Sequence, residues 1–147
     1  MNLDKIDNIF FIGIGGMGMS SLAEYFINEN KYVCGYDRDA SENTDRLQNL
    51  GIEILFKDSF EKVNSRFSNK DDTLIVYTPA IPASNNLLSE FSDNKFTCIK
   101  RAELLGIVVK KGKCIAIAGT HGKTTTTSIL AHLLNSSNIS TTSFIGG

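Results

Sequence analysis

Twice in this chain a short apolar run breaks straight into a glycine turn that opens a segment of helical spacing. Ile9-Phe10-Phe11-Ile12 runs into Gly13-Ile14-Gly15-Gly16-Met17-Gly18, and Cys114-Ile115-Ala116-Ile117 runs into Ala118-Gly119-Thr120-His121-Gly122-Lys123-Thr124. An unbroken apolar run of this length suits a strand covered on both faces. A glycine turn between strand and helix lets backbone N–H groups meet an anion at the positive end of the helix. The strand, turn and helix then have few ways to pack, chiefly with the helix laid back over a parallel sheet.

The remainder alternates in the same way. Met19, Leu22, Ala23, Phe26 and Ile27 recur at helical spacing, and Tyr32–Tyr36 reads as a second strand ended by Asp37. Residues 42–50 read as a helix with Leu47 and Leu50 inward and Gly51 at its stop, and Ile52 and Ile54 alternate as a third strand. Residues 56–70 are polar loop with at most a short helix, and Leu74–Tyr77 is a clear strand ended by Thr78-Pro79. Leu87, Leu88 and Phe91 suit a helix, Phe96–Ile99 a short strand, and Arg101–Lys110 a helix with Leu104, Leu105, Val108 and Val109 as its stripe. Lys110-Lys111-Gly112-Lys113 is a basic turn, followed by the strand 114–117, a helix carrying Ile129, Leu130, Leu133 and Leu134, and a last segment 141–145. Strands alternating with helices predict an α/β fold, a Rossmann-like parallel sheet with helices on both faces, and the second glycine loop has the make-up of a P-loop that binds phosphate.

Composition narrows the partners. At 147 residues, 41% hydrophobic and 21% charged, the chain can bury one good core, or one core and a fragment of a second. A formal net charge of −1 gives no reason to expect nucleic acid or an anionic membrane as a partner. No apolar run approaches the roughly 20 residues of a membrane helix, and Met1-Asn2-Leu3-Asp4 lacks the basic start of a signal peptide, so a cytoplasmic location is expected. Cys34, Cys98 and Cys114 are far apart, without metal-ligand spacing, and read as buried reduced thiols.

The first loop places glycine at 13, 15 and 18, in the G-x-G-x-x-G pattern, after a strand and before an amphipathic helix. Asp37 ends the next strand, where dinucleotide folds place the carboxylate that takes ribose hydroxyls. Alone, this half suggests NAD; the bland alternative is that the glycines only allow a helix to pack close to a strand. The second loop departs from G-x-x-x-x-G-K-[ST], because Ile117 stands where the first glycine belongs. Its physical ingredients remain: Gly119 and Gly122 free the backbone, Lys123 adds charge, and Thr124 is placed to reach Mg²⁺. Thr124–Thr127 are poor helix formers, so a purely structural reason for them is thin. His121 could touch a phosphate or act as a spacer, and His132 reads as structural or exposed.

Together these residues resemble the bacterial Mur ligases. The resemblance is carried by Gly13–Ser20 with Leu22-Ala23-Glu24, by Gly35-Tyr36-Asp37, by Arg101-Ala102-Glu103-Leu104-Leu105, and by Ala118–Ser128. It implies an N-terminal domain for a UDP-sugar, a central ATPase domain and a C-terminal amino-acid domain. Residues 1–99 would then be the Rossmann-like UDP-sugar domain, 100–112 a connecting helix and linker, and 113–147 a truncated start of the ATP-binding domain.

By motif match, Gly13, Gly15, Gly16, Met17 and Gly18 would line the diphosphate, Asp37 the uridine side, and Thr78, Pro79 and Ala80 the nucleotide edge. Gly119, Thr120, His121, Gly122, Lys123, Thr124 and Thr125 would hold ATP, with Lys123 and Thr124 catalytic and Thr124 on Mg²⁺. The family commonly has Gly-His after its third strand, where this chain has Lys57-Asp58. The implied substrates are UDP-N-acetylmuramate and L-alanine, joined through an acyl phosphate. A chain of this extent is expected to be catalytically silent, to bind UDP-sugar at best weakly to moderately, and to bind ATP poorly. The rival reading from another class is a Rossmann-type nucleotide-binding or sensor module without ligase activity. A plain NAD-dependent dehydrogenase leaves the second loop unexplained.

Overall fold

The computed structural model describes residues 3–145. Its sheet has five parallel strands: β1 (Asn8–Ile12), β2 (Tyr32–Tyr36), β3 (Glu53–Leu55), β4 (Thr73–Tyr77) and β5 (Thr97–Lys100), in the order β3-β2-β1-β4-β5. The helices are α1 (Met17–Asn28), α2 (Glu42–Asn49), α3 (Asn86–Asp93), α4 (Arg101–Val109) and α5 (Lys123–Ser136). Two short 3₁₀ turns, Phe60–Lys62 and Ser65–Ser68, fill the polar stretch between β3 and β4.

Alternation along the strands divides the core in two. Ile9 and Phe11 of β1, Val33 of β2, and Leu74 and Val76 of β4 join Leu22 and Phe26 of α1, Leu47 of α2, and Leu104 and Val108 of α4 on one face. Phe10 and Ile12, Cys34 and Tyr36, and Ile75 join Phe67 and, from α3, Leu87 and Phe91 on the other. All five residues of β1 are buried, as the continuous apolar run requires of a central strand. Phe10 lies 5.4 Å from Phe67 and 5.2 Å from Phe91, centroid to centroid, so an aromatic cluster seals the α3 face.

Chain direction reverses its march at β1 and β4. The sheet grows outward from β1 through β2 to β3, then returns to add β4 and β5 on the other side. The carboxyl ends of β1 and β4 therefore border a crevice at the topological switch point, where α/β folds bind ligands.

Three expectations need correction. Leu50 is 51% exposed, because α2 ends at Asn49 and Gly51, at φ +85°, turns the chain away one residue later. Residues 114–117 form no strand among the described residues, since no neighbouring strand offers them a ladder, and Ile115 is 65% exposed. Cys114 is exposed with them and Cys98 is half-buried, so only Cys34 is a fully buried thiol. The helix expected after the second loop does form, as α5, yet none of its residues is buried.

Candidate nucleotide-binding site

At the switch point the β1 loop and the β4 loop face each other. A Cβ on Gly13, whose φ is +86°, would lie 3.1 Å from Ile81 Cδ1 and 3.5 Å from Thr78 Cγ2. Gly13 N–H and Ile14 N–H donate to the Tyr36 carbonyl at 2.7 and 3.0 Å, which ties the loop to the end of β2. The expected UDP-sugar residues from β1, β2 and β4 are thus gathered at one edge of the sheet. Thr78 holds its own turn, accepting the Ala80 N–H on Oγ1 at 2.9 Å.

Asp37 is engaged with the loop itself. Its Oδ2 accepts the Gly15 N–H at 2.7 Å, and its Oδ1 accepts the Asp39 N–H at 3.4 Å. A Cβ on Gly15 would fall 2.8 Å from that Oδ2 and 3.0 Å from Thr44 Cγ2, so any larger residue would push the Asp37 carboxylate off its bond. The carboxylate expected at the uridine side therefore also shapes the turn that would hold the diphosphate. Gly16 caps α1 without any side-chain bond. Beyond it, the N–H groups of Met17 and Gly18 have no protein acceptor among the described residues. Two open amides at the positive end of a helix form an anion cradle.

Arg101, the first residue of α4, completes the cradle. A Cβ on Gly18 would lie 2.8 Å from its Nη1, so the guanidinium rests against the first turn of α1, and glycine at 18 makes the space. No carboxylate among the described residues pairs with it. Arg101 stood in the sequence only as part of a matching segment. Nothing in the spacing from Gly18 showed that α4 would start beside α1.

Asp58 resolves the departure at Lys57-Asp58. Its two carboxylate oxygens accept the N–H groups of Asn86 and Leu87, each at 2.8 Å, while Asn85 Oδ1 accepts the Leu88 N–H at 2.9 Å. The acid spends its charge on the start of α3, where a negative group is stabilising. Burial raises the Tyr36 hydroxyl above its ordinary pKa, and the charges of Asp58 and Asp37 raise it further, so it stays protonated at neutral pH.

The second loop is a different object. Gly122, at φ +77°, precedes α5, and Lys123 Nζ donates to the carbonyls of Gly119 and Thr120 at 2.7 and 3.4 Å. Thr120, His121, Lys123, Thr124 and Thr125 are all exposed, and the N–H groups of Lys123, Thr124 and Thr125 have no acceptor among the described residues. The set suits a phosphate chain. Thr124 is exposed at the start of α5, and no group of three or more His, Cys, Asp or Glu side chains placed to hold a metal ion occurs among the described residues. His132 is exposed on α5.

Comparison with known proteins agrees with this layout. The model described as Mur ligase family, catalytic domain, matches residues 8–113. UDP-N-acetylmuramate–L-alanine ligases of Flavobacterium johnsoniae and Parabacteroides distasonis are 47% and 43% identical over 147 residues. Those alignments cover all of this chain and 32% of each relative, so the chain spans about a third of their length. The crystal structure of the UDP-N-acetylmuramate–alanine ligase from Thermotoga maritima superposes with a TM-score of 0.79 at 31% identity, covering 89% of this chain and 30% of that one. A UDP-N-acetylmuramate:L-alanyl-γ-D-glutamyl-meso-diaminopimelate ligase from Neisseria meningitides gives 0.79 at 25% identity, covering 90% and 40%. Fold, loops and matches converge: the chain belongs to the Mur ligase family.

Proposed function

We propose that this chain is the UDP-sugar-binding part, with the ATP loop, of a cytoplasmic ligase that joins L-alanine to UDP-N-acetylmuramate in peptidoglycan precursor synthesis. The observation that carries the reading is the cradle at the switch point: the Met17 and Gly18 amides and Arg101, for which the described residues offer no acceptor and no carboxylate. Amides and a guanidinium together suit a diphosphate better than a single carboxylate. Relatives named for this reaction match the whole chain at more than 40% identity.

In this reading residues 1–99 bind the UDP-sugar, 100–112 connect, and 113–147 begin the ATP-binding domain. Gly13–Gly18 and Arg101 hold the diphosphate, Asp37 sets the loop and borders the uridine, and Thr78–Ala80 close the nucleotide edge. The lactyl carboxylate of the sugar attacks the γ-phosphorus of ATP, breaking its bond to the bridging oxygen and releasing ADP to leave an acyl phosphate. The amine of L-alanine then forms the amide by displacing inorganic phosphate with loss of a proton. Both partners of the first step are anionic, so positioning and charge neutralisation dominate its barrier. Mg²⁺, when bound, supplies part of that neutralisation, with Thr124 as its protein contact. Lys123 must leave the Gly119 carbonyl to reach a phosphate, and the amides of 123–125 receive the phosphate oxygens.

Isothermal calorimetry of the chain with UDP-N-acetylmuramate and with NADH tests the reading. Heat with the UDP-sugar and none with NADH is expected. NADH binding without a UDP-sugar response would overturn it in favour of a dinucleotide-binding protein.

A further inference from the structure

Gly15 and Gly16 are consecutive, so no Cβ on either side hinders rotation of the peptide between them. A half-turn of that peptide would aim the Gly15 carbonyl oxygen, a partial negative charge, toward the anion side of the loop. On the loop's own backbone only one long bond opposes this, from Gly16 N–H to the Gly13 carbonyl at 3.3 Å. The carbonyl itself is held from outside: Asn43 Nδ2 donates to the Gly15 oxygen at 2.8 Å, across a sequence separation of 28 residues.

Asn43 is the second residue of α2, and the helix does not need its amide. Ser41 Oγ accepts the Thr44 N–H at 3.3 Å, and Thr44 Oγ1 accepts the Ser41 N–H at 2.7 Å, so a reciprocal cap is already complete. Asparagine is also a weak helix former. Among the described residues, the one hydrogen bond its side chain makes goes to the glycine loop. With Asp37 on the Gly15 N–H and Asn43 on the Gly15 carbonyl, both polar groups of one glycine are fixed by side chains from the β2–α2 region.

We propose that Asn43 is a positioning residue for diphosphate binding, holding the Gly15 carbonyl toward α2 so that the loop presents only N–H groups to the anion. This rests on the reading that the loop holds a UDP-sugar. Asn43 need not touch the ligand; it acts through the peptide it restrains. An acceptor at this position would do the reverse, because a carboxylate cannot donate to a carbonyl.

The test uses the full chain with Asn43→Leu, which keeps the size and removes the donor, and Asn43→Asp, which keeps the shape and leaves only acceptors. NMR titrations with UDP-N-acetylmuramate and with uridine, beside a thermal melt, separate the outcomes. Asn43→Leu should weaken UDP-sugar binding by about tenfold, the worth of one well-made hydrogen bond, and Asn43→Asp by more. Uridine affinity should stay within about twofold and the melting temperature within about 2 °C, because the α2 cap is intact. A merely structural asparagine would lower the melting temperature and weaken both ligands alike, which overturns the proposal. Unchanged UDP-sugar affinity in both variants also overturns it. A wild-type chain that ignores UDP-N-acetylmuramate would instead remove the diphosphate reading, and this proposal with it.

Discussion

The two glycine loops look alike as strings of residues and are unlike as structures. The Gly13–Gly18 loop is braced by β2, α2, the β4 loop and α4, through bonds at 2.7 and 2.8 Å to Gly15 and a guanidinium against Gly18. The Gly119–Lys123 loop is braced by itself, through Lys123 on its own carbonyls, and opens a helix with no buried residue. A glycine turn becomes a defined site when neighbouring elements satisfy and crowd it, since local hydrogen bonds alone leave several backbone arrangements close in energy. The first loop is held in place by its neighbours; the second is exposed and held by its own carbonyls.

Four experiments break or sharpen this contrast. Cysteine reactivity gives the widest margin. Cys34 lies in β2, its pKa pushed up to about 12, mainly by burial, whereas Cys114 is exposed before the second loop. A thiol reagent at pH 8 should modify Cys114 on the order of a thousandfold faster than Cys34, which reacts only through opening of the sheet. The sign of the shift also means that Cys34 adds no pH dependence below the ordinary thiol range. Above about pH 9 it makes the fold progressively less stable, because the unfolded chain ionises first. Mass spectrometry that finds Cys34 labelled as fast as Cys114 would show the two regions to be equally open.

Gly35→Ala should be the most damaging single substitution near the first loop. Its Cβ would sit 2.6 Å from Ile14 Cδ1 and 2.8 Å from the Phe11 carbonyl oxygen, and a sheet backbone cannot step aside. Denaturant unfolding should show a loss of about 3 kcal/mol, and a loss below ~1 would mean that β1 and its loop are looser than described.

Arg101→Ala should cost about tenfold in UDP-N-acetylmuramate affinity, with the loss shrinking at high salt as expected of a charge-assisted contact. Calorimetry at two ionic strengths reads both. Ile129→Ala should have the smallest effect: the side chain is 56% exposed on α5, so its melting temperature should be indistinguishable from wild type, within about 0.5 kcal/mol of stability. A large drop would reveal packing on α5 that the structure does not contain.

Much of this layout was legible in the residues, for physical reasons that also explain what was missed. Continuous apolar runs marked β1, β2 and β4, because a strand covered on both faces is filled mainly by apolar residues, with Asn8 and Thr73 buried only at the strand starts. The glycine pattern and Asp37 marked the turn after β1 that Asp37 braces, since their spacing is set by local geometry along one β-α-β unit. Arg101 and Asn43 escaped, being brought to Gly18 and Gly15 by packing of α4 and α2, which no local pattern encodes. Asp58 was read against a histidine expected by resemblance, yet its role is to cap α3, a partner 28 residues away. The run 114–117 has every local mark of a strand, but a strand also needs a neighbour.

Chemical-shift mapping tests the central contrast most directly. On adding UDP-N-acetylmuramate to the labelled chain, the amides of Gly16–Gly18 and the Arg101 side chain should move, with those of Gly119–Thr125 unchanged. Shifts centred on Gly119–Thr125, with Gly16–Gly18 still, would contradict the account.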